Sequence, residues 1–168
     1  RAGNVGENAL PVVLHRDHNT VKVAGDIGKA VDLGIRGIES GVTSMSIDGS
    51  HHGNPDDVAY TSSIAIVVAR AILQKFPPWY VRWIGLEMEV RDVGSPTISS
   101  QAEIEAFGDR LAAAGYGTSA IAYHSGTKHG NFPVDPAEVA RALNNAKAAV
   151  LALNARGVPI FGGVQHGT

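Results

Sequence analysis

A chain of 168 residues with 44% hydrophobic residues is long enough and apolar enough to bury a core as one domain, which excludes a disordered tail. Its 14 basic and 16 acidic residues are scattered and sum to a net charge of −2, so there is no electrostatic footprint for nucleic acid or an anionic membrane, and a small neutral or anionic metabolite fits better. With no cysteine, a disulfide framework and a thiolate metal site are excluded, leaving histidine and carboxylate as the strong ligands.

The first predicted strand is Leu10–His15, an apolar run that feeds directly into Asp17 and His18. The second is Ser44–Asp48. From Asp56 to Phe76 apolar residues recur at helical spacing, and Pro77-Pro78 ends that pattern. The most apolar part of this helix, Ile64 to Leu73, is too short to span a bilayer and is interrupted by Arg70; with no signal-peptide pattern at the N-terminus, a cytoplasmic setting is expected. A third strand is predicted at Trp83–Val90. Ser100-Gln101-Ala102-Glu103 has capping-box spacing and opens a helix whose apolar face is Ile104, Phe107 and Leu111, ending at Gly115. After a fourth strand at Ser119–Tyr123, Asp135-Pro136 caps a further helix that stops at Gly157, and the last strand is Pro159–Gly163.

Strands separated by single helices run parallel through right-handed crossovers, so the class is α/β. No glycine-rich dinucleotide fingerprint is present. Chemically capable residues stand at the C-terminal end of nearly every strand: His15, Asp17 and His18; Asp48; Glu87 and Glu89; His124 and His129; His166. In a (β/α)8 TIM barrel those ends converge on one mouth. Five strands are roughly five-eighths of such a barrel. Residues 1–168 are therefore expected to form one barrel domain covering about strands 3 to 7, incomplete at both ends, and the start at Arg1 rather than Met fits a segment.

Glu87-Met88-Glu89 places two carboxylates on one face of a strand, where a cation or a partner such as Arg82 or Arg91 must balance them. Tyr123-His124-Ser125-Gly126-Thr127-Lys128-His129-Gly130 and Ile160-Phe161-Gly162-Gly163-Val164-Gln165-His166-Gly167-Thr168 each follow an apolar strand with a histidine in a small-residue loop. Histidines on three strand ends fit a catalytic zinc site, which commonly has three protein ligands and one open position. Taken singly, each histidine also fits a polar loop. His51, His52 and Lys128 read as solvated loop residues.

The order Leu-His-x-Asp-His, Gly41-Val42-Thr43-Ser44-Met45-Ser46-Ile47-Asp48-Gly49-Ser50, Glu-x-Glu, Gly126-Thr127-Lys128-His129-Gly130 and a glycine-rich His-Gly loop resembles the class II, zinc-dependent ketose-bisphosphate aldolases, which include fructose- and tagatose-bisphosphate aldolases. The resemblance covers essentially the whole chain. It implies that His18, His129 and His166 hold Zn2+, that Asp17 is the acid/base on the aldehyde oxygen, and that Asp48 and Glu89 form an inner shell where the family can hold metal in an alternative position. A second divalent or monovalent cation is compatible with that shell. It also implies carbohydrate metabolism, a phosphorylated ketose or dihydroxyacetone phosphate as substrate, held partly by Gly130, Gly167 and Thr168, and a homo-oligomer. An α-hydroxy ketone can chelate zinc, which stabilises the enediolate left when the aldehyde departs.

The chain departs from the family after the Glu-x-Glu strand. Arg91-Asp92-Val93-Gly94-Ser95-Pro96 stands where a glycine-rich loop with an acidic pair supplies the carbon acid/base, so Asp92 is the substitute expected there. The phosphate-gripping stretch after the last histidine extends only to Gly167-Thr168, and the asparagine-bearing eighth strand lies outside this sequence. Two alternatives follow: a metal-dependent sugar isomerase or epimerase with Glu87 or Glu89 as proton shuttle, and a non-catalytic barrel subunit that supports an aldolase partner.

Overall fold

The structure is a computed structural model and describes residues 14–52, 57–91, 97–116, 120–127 and 133–165. In chain order the elements are β1 (His15–Thr20), α1 (Asp26–Glu39), β2 (Ser44–Asp48), α2 (Val58–Leu73), α3 (Pro78–Val81), β3 (Gly85–Glu89), α4 (Gln101–Ala113), β4 (Ala120–Tyr123), α5 (Pro136–Ala155) and β5 (Gly162–Gln165). The helices start where their caps dictate. Tyr60 N–H donates to Asp57 Oδ1 at 3.1 Å before α2. Ser100 and Glu103 form a reciprocal capping box on α4. Asp135 Oδ1 accepts from Ala137 N–H at 2.9 Å, with Pro136 at the first position of α5.

All five strands pair in parallel, in the order β1-β2-β3-β4-β5. Every crossover therefore advances in one direction, and right-handed crossovers then put each helix on the same side of the sheet. A doubly wound sheet would reverse its order at a switch point. The helices pack in series, α1 on α2, α2 on α4 and α4 on α5. Met45, Ile47, Met88 and Ile121 meet Ile38, Val68, Ile72, Phe107 and Leu153 in one core. Glycine at 34 permits the α1–α2 approach, since a Cβ there would lie 2.3 Å from Ile72 Cδ1. This winding is compatible with a segment of a (β/α) barrel.

The opposite face is fixed by the register. Ser46 pairs with Glu87, Glu87 with Ala120, and Glu89 with Ala122, and paired residues of parallel strands share a face. Small residues and acids thus line one side, while the apolar residues that alternate with them pack under the helices.

Several boundaries differ from the sequence expectation. The first strand pairs over His15–Thr20, while residues 10–13 of the expected strand Leu10–His15 lie outside the described residues; Asp17 and His18, expected beyond the strand end, lie within the strand. The last strand begins at Gly162 instead of Pro159, because Asn154 bonds both the N–H and the carbonyl of Ile160 (3.0 and 2.9 Å) and ties that stretch to the end of α5. Pro77-Pro78 does end α2, and Pro78 then opens the one-turn α3. Among the described residues no helix is long and apolar enough to cross a membrane.

Arg91, at the end of β3, donates through Nε to Glu103 Oε1 at 3.2 Å and also through its terminal nitrogen, tying the start of α4 to the strand end. Burial pushes the Glu103 carboxyl pKa up, but the Arg91 and Ser100 bonds outweigh this and hold it below its ordinary value of 4.5. A depressed folded-state pKa contributes stability that is present above the unfolded value and lost as pH falls through the folded one. Denaturant midpoints measured from pH 7 to pH 3 are therefore expected to show wild type ahead of Glu103→Gln by a constant margin near neutrality that shrinks below about pH 4.5. A margin independent of pH would contradict this.

Candidate metal centre

The site is built on an irregularity in β1. Arg16 is opposite Met45 and Asn19 is opposite Ile47, so Asp17 and His18 together face the single residue Ser46 of β2. This is a β-bulge, which re-aims side chains. On its helix-facing side the bulge is stapled: Arg16 Nε donates to Asn19 Oδ1 at 3.0 Å, and Asn19 Nδ2 points to Met45 Sδ at 3.9 Å. His18 adopts φ 51°, a left-handed conformation that a non-glycine residue holds at a cost of about 1–2 kcal/mol. In regular alternation Asp17 and His18 would point to opposite faces; across the bulge both reach acids of the polar face.

His18 Nδ1 lies 3.3 Å from Glu89 Oε1, and His18 Nε2 lies 3.5 Å from Asp17 Oδ2. Glu89 is 3% exposed, and Ser46 Oγ donates to its Oε1 at 3.4 Å. Asp48 is 1% exposed. Its Oδ1 accepts from the Ser50 N–H (2.9 Å) and hydroxyl (2.6 Å), which fixes the carboxylate plane. Among the described residues its Oδ2 is buried without a hydrogen-bond partner, 3.7 Å from His51 Nε2.

Ligand atoms of His18, Asp48 and Glu89 all lie within 4.8 Å of one another. A cation with bonds of about 2.0–2.2 Å in tetrahedral geometry separates its ligands by roughly 3.3–3.6 Å, so the 3.3 Å from His18 to Glu89 already has that spacing. A buried carboxylate oxygen with no hydrogen bond is expensive to hold, and a cation between it and its neighbours removes the expense. The donor set, one imidazole and two carboxylates, therefore fits zinc or another borderline divalent ion.

Four of the residues singled out in the sequence, Asp17, His18, Asp48 and Glu89, are thus brought together. His129 and His166 as ligands, Asp92 as acid/base, and Gly130, Gly167 and Thr168 as substrate contacts lie outside the described residues. His124, at the end of β4, is 3% exposed; its backbone N–H is held by Ser99 Oγ at 3.0 Å and its carbonyl by the Ser99 N–H at 2.9 Å, so it anchors the loop before α4. Of the histidines read as solvated, His51 approaches Asp48, while His52 is buried with Nδ1 2.7 Å from Tyr60 Oη. Tyr60, on the first turn of α2, was the signal available for that burial.

No family model matches the chain, and no curated protein matches it.

Proposed function

We propose that the chain is part of a (β/α)8 barrel and acts as a metal-dependent aldolase of the class II type, making or breaking a C–C bond in a phosphorylated ketose. The observation that carries the reading is the meeting of His18 of β1 with Asp48 and Glu89, the last residues of β2 and β3, with their ligand atoms within 4.8 Å and Asp17 beside them. The family resemblance and the fit of the donor set to zinc point the same way. Zinc held there would supply Lewis-acid polarisation of the ketose carbonyl. His18, Asp48 and Glu89 would hold the ion in one position, and His129 and His166 from the two histidine loops would join His18 in the alternative one.

The rest of the chemistry falls to side chains. Asp17 is well exposed and within 3.5 Å of His18, so it stands between the ligand and solvent, where an aldehyde oxygen would enter. In cleavage it takes the proton from the hydroxyl at the breaking bond; in condensation it returns that proton to the new alcohol. Asp92 would serve the carbon proton.

Incubation of the zinc-loaded protein with ketose 1,6-bisphosphates, with triose phosphates detected by a coupled assay, tests the reading. Cleavage is expected, falling to background after treatment with a chelator and returning when zinc is added back. Absence of cleavage by the zinc-loaded protein, or epimerisation of a phosphorylated ketose without cleavage, would contradict it.

A further inference from the structure

The bulge creates a second donor set beside the first. His15, Asp17 and Glu87 also bring one ligand atom each within 4.8 Å of the others. The two sets touch, because Asp17 Oδ2 is 3.5 Å from His18 Nε2. We propose that His15, Asp17 and Glu87 bind a second divalent cation, separate from the one at His18, Asp48 and Glu89, and that this second ion opposes turnover by engaging the Asp17 carboxylate.

Three features carry the binding site. First, His15 is oriented from outside the set: its Nδ1 is 2.9 Å from Ser44 Oγ, which leaves Nε2 facing the acids. Metal-ligating histidines characteristically have the other ring nitrogen held in this way. Second, His15 Nε2 is 3.7 Å from Glu87 Oε2. That is beyond hydrogen-bond reach, yet it is the span of two ligands about 2.1 Å from one ion at an angle of roughly 120°. Third, Glu87 is buried, at 9% exposure, so this set holds a carboxylate largely out of water, where a cation beside it is favourable. Imidazole with two carboxylates suits zinc, manganese or cobalt, and neighbouring two-ion centres are an established arrangement.

The functional consequence rests on the reading of Asp17 as acid/base; the binding site itself does not. A carboxylate coordinated to a cation is a poor proton acceptor, so filling the second site withdraws Asp17 from the reaction while leaving the first ion in place.

The test uses the whole chain, stripped with a chelator and titrated with Zn2+ by calorimetry and with Co2+ by visible absorption. Wild type is expected to take up two equivalents in two steps. His15→Ala, at an exposed position, and Glu87→Gln should each lose the second step alone, while His18→Ala should lose the first. In the cleavage assay, wild-type rate is expected to fall about tenfold as Zn2+ passes the first equivalent, and His15→Ala should abolish that fall. Saturation of wild type at one equivalent, or two equivalents retained in both His15→Ala and Glu87→Gln, would overturn the second site. Should Glu87→Gln fail to fold, His15→Ala decides. Cleavage with a single binding step leaves the aldolase reading intact and removes this one; two steps dependent on His15 without cleavage do the reverse for the site.

Discussion

Asp17→Asn is expected to lower kcat of the zinc-saturated protein for aldol cleavage by about 10²–10⁴-fold with KM little changed, while the first equivalent of zinc still binds, weakened by no more than the roughly 10–100-fold that loss of an outer-shell partner of His18 costs. The reason is position. Asp17 belongs to the second donor set and not to the one formed by His18, Asp48 and Glu89, so its loss should remove a proton carrier without dismantling the first metal site. Asparagine has the same size but cannot accept and return a proton at the substrate oxygen. Loss of the first binding step altogether would mean instead that Asp17 is a ligand to the catalytic ion, and an unchanged kcat would remove it from the chemistry. Steady-state kinetics together with calorimetric zinc titration separates the three outcomes.

Asp48→Asn is expected to act in two opposite directions. Zinc affinity at the first site should fall about 100-fold or more, since a charged ligand is replaced by a weak one and loss even of an outer-shell partner is worth 10–100-fold. The metal-free protein should become more stable, by about 1–2 kcal/mol. Two carboxylates, on Asp48 and Glu89, are both almost fully buried with ligand atoms no more than 4.8 Å apart. Their repulsion is about 3.5 kcal/mol at 4.8 Å and an effective dielectric of 20, partly offset by the contacts of His18 with Glu89 and of His51 with Asp48. Asparagine keeps the acceptor for Ser50 and removes one of the two charges. Thermal or denaturant unfolding of both forms, with and without zinc, measures this. A purely structural Asp48 would give the contrary pattern, with the metal-free variant less stable and zinc binding untouched.

Much of the scaffold is legible in the sequence because the signals are local. The capping box at Ser100 and Glu103, the Asp135-Pro136 start and the Gly157 stop of α5 each act within one helical turn, and the structure places them as read. Glu87 and Glu89 share a face because the strand period is two. What was not legible depends on pairing between strands. A period-two reading puts Asp17 and His18 on opposite faces, and only the two-against-one register with β2 brings both to one side. The same bulge explains why polar residues could sit inside β1 rather than after it: His15, Asp17 and His18 face the side that the helices do not cover. His52 looks like a loop residue in the string His51-His52-Gly53, yet it is buried and hydrogen-bonded to Tyr60 of α2, a contact that the local pattern does not show. Asp92, His129 and His166 carry part of the sequence argument and stand outside the described residues, so the described part of the site rests on β1, β2 and β3.

The central claim, that a catalytic cation is held by His18, Asp48 and Glu89, is tested most directly by anomalous diffraction at the zinc edge from crystals grown with one equivalent of Zn2+. The account expects an anomalous peak about 2.0–2.2 Å from a nitrogen of His18 and from carboxylate oxygens of Asp48 or Glu89. No peak there, or zinc bound at sites that share none of these residues, would contradict it.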